Sequence, residues 1–398
     1  MEKTDHIKNI TNSIFVDNHW CPGPGLLADE TIKTVNAYRN PFAECWRIMP
    51  KILIGIHDVR ARVGTFTTPW NAPSNPLYRM PELKFINDSL ADLMDQRAVE
   101  LYNEAKRSNK KIAVMWSGGI DSTGVLVSLL KNIPTHEHRM IEVVLTTLSI
   151  FENMEFWRKY ISGKLKQTAY MTVQVTTDYL DNYILIHGDP ADCLFGPSFP
   201  MYKNYFLEGK HLEPHTKHRI KVKYPPHLKI DFNEWYYKKV SQTIYDCNQQ
   251  DYVSTVADFW WWTYFNFKWE VSCQRPLFYM RWTAGKDGVR VFKNPIPYSY
   301  QQEWAKNTFF NTDKFQQWSY SNLKTLIPKS DMTQHKILIK KYIYEYSKIK
   351  EYYLYKNKIA GLQPALKMKL PQQVYNELWQ PITGIIHYYD KILSEYTG

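Results

Sequence analysis

The amino-acid sequence predicts an α/β protein, a parallel sheet followed by a mostly helical lobe. Two observations carry that prediction. Between residues 109 and 200, short apolar runs alternate with stretches of helical periodicity, the pattern of strands joined by crossover helices. After residue 200 the alternation stops, and residues 232–398 read mostly as helices rich in aromatic side chains and lysine. The chain thus divides into an N-terminal loop and helix region 1–108, an α/β core 109–200 and a lobe 201–398 that is expected to complete the core's site.

The elements follow in order. Residues 1–85 are loop-rich, with Pro22-Gly23-Pro24-Gly25 and later Pro69, Pro73 and Pro76. Leu90, Leu93, Met94, Ala98, Leu101 and Ala105 then recur at helical spacing behind Ser89, which is placed to cap. Ile112–Trp116 reads as a short buried strand, followed by a Gly-Gly turn and a helix from Ser122 to Leu130. Further strands are expected over Ile141–Leu148, Ala169–Val175 and Tyr183–Ile186, with a helix over Phe156–Leu165. In sheets of this kind ligands sit beyond the carboxyl ends of the strands.

Bulk composition narrows the class. Hydrophobic residues at 44% and charged residues at 22% are those of a globular protein rather than a disordered one. Cys21, Cys45, Cys193, Cys247 and Cys273 form no C-x-x-C pair, so reduced thiols in a cytoplasm are expected rather than a disulfide framework or zinc knuckle. The N-terminal Met-Glu-Lys-Thr-Asp has no signal pattern, and no apolar run approaches membrane-spanning length. A net charge of +11 favours polyanionic partners, nucleotides or nucleic acid, although a solvated lysine-rich surface is a simpler account of it than a dedicated nucleic-acid face.

The chemistry is concentrated in Ser117-Gly118-Gly119-Ile120-Asp121-Ser122. Two glycines let the backbone turn tightly and bring its N–H groups against phosphate oxygens. The helix that follows offers unpaired N–H donors and a favourable dipole end. Ser117, Ser122 and Thr123 add hydroxyls. Asp121 repels phosphate, so its natural partner is Mg2+, which accepts one or two carboxylates together with phosphate oxygens. The Walker loop is excluded, because the longer glycine spacing and the Gly-Lys-Ser/Thr ending are missing.

This segment resembles the signature of the N-type ATP pyrophosphatases, the PP-loop superfamily, whose core is the adenine nucleotide α-hydrolase-like (HUP) sheet. The resemblance implies ATP and Mg2+ as ligands, with Met115, Ser117, Gly118, Gly119, Asp121, Ser122 and Thr123 around the nucleotide. Gly188-Asp189-Pro190-Ala191-Asp192-Cys193-Leu194-Phe195-Gly196 is similar to the Gly-Glu-Gly-Ala-Asp-Glu-Leu-Phe-Gly segment of asparagine and β-lactam synthetases. That similarity places Gly188 near the nucleotide, gives Asp192 a share of the metal with Asp121, and gives Asp189 a catalytic role. Asp189 is one methylene shorter than the family's Glu, and Pro190 replaces a Gly. His335-Lys336-Ile337-Leu338 and Tyr355–Gly361 resemble two C-terminal motifs of the same group, which implies catalytic roles for Lys336 and Lys358.

The implied activity is a C–N ligase that adenylates a carboxylate or carbonyl of a small-molecule acceptor, releases pyrophosphate and adds ammonia or an amine. The glutaminase domain with which asparagine synthetases begin is expected to be missing, since Met1 is followed by Glu2 and little chain precedes the loop. Free ammonia, an amine or a separate amidotransferase partner would then supply nitrogen. Two alternatives stay open: modification of a base in tRNA or DNA, and a non-catalytic nucleotide-binding regulator.

Three other features have a plain reading beside a functional one. Phe259-Trp260-Trp261-Trp262 is a core helix or an acceptor-pocket wall. Residues 201–230, with seven Lys or Arg and four His, are a solvated loop or a lid. Lys336, Lys340, Lys341, Lys348, Lys350 and Lys356 lie on an exposed helix or track a nucleic-acid backbone.

Overall fold

A computed structural model describes residues 62–63, 78–169, 177–196, 200–218, 220, 231–270, 272–273, 282–284, 290–292, 304, 306–327 and 334–350. In chain order the elements are α1 (Leu90–Ser108), β1 (Lys111–Met115), α2 (Ile120–Asn132), β2 (Ile141–Leu145), α3 (Thr147–Glu152), β3 (Lys166–Ala169), α4 (Thr177–Asn182) and β4 (Tyr183–His187). They continue with α5 (Ala191–Leu194), α6 (Pro200–Leu207), α7 (Phe232–Asp246), α8 (Val256–Thr263), β5 (Trp282–Ala284), β6 (Arg290–Phe292), α9 (Asp313–Leu326) and α10 (Ile337–Ser347). The chain forms two compact units from interleaved segments. One, the α/β unit, takes residues 87–189, 306–315 and 331–398; the other, the aromatic unit, takes 1–86, 190–305 and 316–330.

In the α/β unit four parallel strands lie in the order β3-β2-β1-β4. Ile112, Ala113 and Val114 of β1 and all five residues of β2 are buried, as strands covered on both faces require. From β1 the chain builds outward through β2 and β3, then returns to the opposite side of β1 for β4. Strand order therefore reverses between β1 and β4, the switch point at which open α/β sheets leave a crevice.

The elements differ from expectation in instructive places. β2 stops at Leu145 rather than Leu148, because Thr146 and Ser149 form a capping box: each hydroxyl accepts from the other's backbone N–H at 3.1 Å, and α3 begins. β3 starts at Lys166, earlier than Ala169; residues 170–175 lie outside the described residues. The helix expected over 156–165 is a short α turn, Met154–Phe156, running into a π turn, Trp157–Ile161.

Glu142 explains why the polar start of β3 joins the sheet. Buried on β2, its carboxylate accepts from Lys166 Nζ at 2.6 Å, Thr168 Oγ1 at 2.5 Å and Tyr183 OH at 2.9 Å, tying β3 and β4 across the sheet. Burial alone pushes its pKa up, but the hydrogen bonds from Lys166, Thr168 and Tyr183 outweigh that and hold it below the ordinary glutamate value.

α1, α2 and α10 pack together beside the sheet. Gly124 in α2 permits the contact: a Cβ there would come within 2.7 Å of Ile339 Cδ1 and 3.3 Å of Met94 Cε. Asp95 on α1 accepts from Lys131 Nζ at 2.5 Å and Asn132 Nδ2 at 2.8 Å on α2, and also from the Tyr342 hydroxyl on α10.

The aromatic unit is built on α8 and the π turn Tyr264–Lys268 that extends it, with every residue from Val256 to Glu270 buried. Phe259–Trp262 therefore form a core helix. Trp261 stacks on Phe265 at 4.7 Å between ring centroids, and its indole donates to Ser319 Oγ at 3.0 Å. Two departures from the sequence reading occur here. β5 and β6 pair antiparallel in the region read as helical, and His211 and His215 are buried rather than solvated. Among the described residues no helix is long and apolar enough to cross a membrane.

A titration tests the Glu142 staple. Its folded pKa is depressed, so its contribution is full above the unfolded value, about 4.3, and is lost as pH falls through the folded one. Urea denaturation is expected to show Glu142→Gln less stable than the parent at neutral pH by about 1–3 kcal/mol. That gap should narrow as the medium is acidified. A gap independent of pH would contradict the assignment.

Candidate functional site

The site candidates converge at the carboxyl ends of β1 and β4. After Met115 the chain turns through Trp116–Gly119 into α2. Gly118 is left-handed, with φ +72°, and a Cβ on it would stand 2.2 Å from the Ser149 carbonyl oxygen and 2.7 Å from Glu152 Cβ. No side chain fits between the turn and α3. Gly119 caps α2 in extended conformation without a side-chain hydrogen bond, so the first N–H groups of that helix lack a side-chain cap.

Hydroxyls shape the turn from within. Ser122 Oγ accepts from Ser117 N at 3.0 Å and shares a hydrogen bond with Ser117 Oγ, also 3.0 Å; Ser117 Oγ accepts from Gly119 N at 3.3 Å. Ser117 is exposed while Ser122 is buried. Thr123, expected to offer its hydroxyl to a ligand, is buried, and its Oγ1 accepts from the Trp116 indole at 3.0 Å.

The turn after β4 lies directly against the start of α2. A Cβ on Gly188 would come within 2.7 Å of Ser122 N and 2.9 Å of Asp121 Cβ. His187, register partner of Met115, fixes this turn: its Nδ1 accepts from Asp189 N at 3.2 Å. That leaves the ring proton on Nε2, which lies 3.3 Å from Thr308 Oγ1.

Asp121 and Lys336 meet across 215 residues of sequence. Lys336 Nζ donates to both carboxylate oxygens, at 2.6 and 2.8 Å. The lysine side chain is 7% exposed and the aspartate 25%. Lys336 is the N-cap of α10, in left-handed conformation, so the packing of α10 against Gly124 delivers it. The lysine series is thus not one solvated face: Lys336 and Lys340 are buried, whereas Lys341, Lys348 and Lys350 are exposed. Lys356 and Lys358 lie outside the described residues.

Asp192 belongs to the aromatic unit, on α5, with Lys268 Nζ 3.8 Å from its Oδ2. Among the described residues no three His, Cys, Asp or Glu side chains gather as a metal site. The donor set still fits Mg2+ at Asp121, because that ion keeps water and phosphate oxygens beside one or two carboxylates. Such an ion would compete with Lys336 for the carboxylate. Sequence reading missed His187, Gly124 and Lys268. A glycine inside a helix and a lysine inside an apolar run were the available signals.

Two experiments test this geometry. Gly163 is also left-handed, φ +68°, but a Cβ there meets nothing within 4 Å. Gly163→Ala should therefore cost only the backbone term, about 1–2 kcal/mol, and Gly118→Ala distinctly more. Equal losses in urea melts would contradict the close approach to α3. A double-mutant cycle of Asp121→Asn and Lys336→Met should give a coupling of about 1.5–3 kcal/mol. Additive losses would mean that the pair does not form.

Comparison with protein-family models, curated proteins and solved structures finds no match for this chain, so function is argued from the geometry above.

Proposed function

We propose that this protein is an ATP-dependent ligase of the PP-loop pyrophosphatase type, with an adenine nucleotide α-hydrolase-like core, close in chemistry to the synthetase part of asparagine synthetase. The reading rests on the position of one turn. Ser117–Ser122 leaves β1 beside β4, where strand order reverses, and Gly118 and Gly188 hold it against α3 and the β4 turn without intervening side chains. Crevices at such reversals take ligands, and helix N-termini with uncapped amides suit phosphate.

The chain's residues then have these roles. The amides at the start of α2 and the exposed Ser117 hydroxyl would hold phosphate oxygens, with Ser122 orienting Ser117. Asp121 would hold Mg2+, which when bound with the nucleotide neutralises phosphate charge and makes the α-phosphorus more electrophilic. Lys336, already desolvated beside Asp121, supplies a fixed cation for charge that develops on the phosphates. Asp189, tethered through its N–H to His187, would orient the incoming amine.

A carboxylate oxygen of the acceptor attacks the α-phosphorus, the bond to the bridging oxygen breaks, and pyrophosphate leaves. Ammonia or an amine then displaces AMP from the acyl-adenylate, losing a proton as the C–N bond forms. The net charge of +11 favours a second acceptor class, a base in tRNA or DNA, on the same chemistry.

Pyrophosphate release from ATP tests the reading, first with pooled small carboxylates plus ammonia and then with tRNA or DNA. Release is expected in one arm, with Asp121→Asn lowering it by about 10²–10³-fold. ATP binding with no release in either arm would overturn the ligase in favour of a nucleotide-binding regulator.

A further inference from the structure

The turn after β4 is held from a segment remote in sequence. Residues 306–310, Lys-Asn-Thr-Phe-Phe, lie just ahead of α9. Aromatic rings anchor them: Phe309 and Phe310 are fully buried, with ring centroids 5.9 and 5.2 Å from that of Phe315. Arg97 on α1 takes two of the segment's carbonyls. Its guanidinium donates to the Phe309 carbonyl at 3.3 Å and to the Lys306 carbonyl, and pairs with Glu100 at 3.0 Å. Between those two held carbonyls stands Thr308, itself fully buried. Long-range ties therefore aim a single hydroxyl.

That hydroxyl meets His187, the last residue of β4, with Nε2 3.3 Å from Thr308 Oγ1. The other ring nitrogen, Nδ1, accepts from Asp189 N at 3.2 Å. A neutral imidazole carries one N–H, and which nitrogen bears it is set by the hydrogen bonds of the pair. With the proton on Nε2 both contacts are satisfied. With the proton on Nδ1, two N–H groups face each other beside a ring that is 2% exposed, where a lost hydrogen bond is costly. The consequence reaches the start of α2. Gly188 lies between His187 and Asp189, and a Cβ on it would stand 2.7 Å from Ser122 N and 2.9 Å from Asp121 Cβ, so a shift of the turn is felt there.

We propose that Thr308 is a positioning residue for the turn after β4: its hydroxyl selects the His187 tautomer whose Nδ1 holds the Asp189 amide. Arg97 sets that hydroxyl through the carbonyls on either side of it. Thr308 acts through His187 and not on a reacting group. The consequence for nucleotide binding rests on the ATP reading; the tautomer and the tether of the turn do not.

NMR of the full chain with isotope-labelled histidine reads the tautomer, and amide exchange at Asp189 reads the turn, both without nucleotide. In mildly alkaline buffer the parent His187 is expected to be neutral with its proton on Nε2. Thr308→Val keeps the shape but removes the hydroxyl; it should give mixed tautomers and exchange at Asp189 about tenfold faster, the worth of one hydrogen bond. Thr308→Ser should restore both. Replacing the ring separates its two nitrogens. His187→Asn keeps an acceptor near Nδ1 and should preserve slow exchange at Asp189, whereas His187→Gln keeps a donor near Nε2 and should not. A parent ring protonated on Nδ1 overturns the proposal without any variant. So does an unchanged tautomer in Thr308→Val, or equal exchange in His187→Asn and His187→Gln. Binding of α,β-methylene ATP distinguishes the two readings. Thr308→Val is expected to bind it about tenfold more weakly than the parent, and Thr308→Ser as the parent does. Equal affinity in the parent and Thr308→Val would overturn the positioning role. A parent that does not bind the analogue would contradict the ATP reading, while tautomer and exchange still decide the case of Thr308.

Discussion

Two hydrogen atoms set the geometry at the carboxyl ends of β1 and β4. Where Gly118 meets the Ser149 carbonyl, and where Gly188 meets the first amides of α2, there is no room for a methyl group. Three backbone segments therefore crowd together, and a chain with side chains at those positions would have to separate them. What the crowding produces is a helix start without a side-chain cap, beside the point where the sheet reverses its order. Phosphate is the ligand chemistry that such a surface suits.

Charge is managed differently at the two ends of the sheet. At the amino ends, Glu142 is satisfied by three donors and works as a staple. At the carboxyl ends, Asp121 accepts from Lys336, which the close packing of α10 on α2 delivers. In the proposed reaction a metal ion would compete with Lys336 for Asp121, while the Glu142 carboxylate stays occupied by its three donors. In the aromatic unit Asp192 and Lys268 repeat the pairing at longer range. A buried ion pair of this kind is weak evidence for stability, which directs attention to its chemistry.

Much of this was legible from residue pattern. A Gly-Gly turn between the apolar run Ile112–Trp116 and a helical repeat leaves few alternatives, and the parallel α/β sheet follows from the alternation around it. Failures occurred where long-range partners override local pattern. Lys166-Gln167-Thr168 looks unlike a strand until Glu142 is seen to receive it. Thr146 and Thr147 favour a strand by type, yet the Thr146–Ser149 box starts a helix. Lys336 was singled out by motif, but its partner, far away in sequence, was not visible. Lys268 was hidden among aromatic residues whose burial drew the attention instead.

The central claim is that the turn after β1 and the turn after β4 together grip a nucleotide. Hydrogen–deuterium exchange with α,β-methylene ATP, which binds but is not split, tests this most directly. Slower exchange is expected at the amides of Ser117–Thr123 and His187–Asp189 when the analogue is present. Unchanged exchange in both segments under saturating analogue, with protection elsewhere in the chain, would contradict the account.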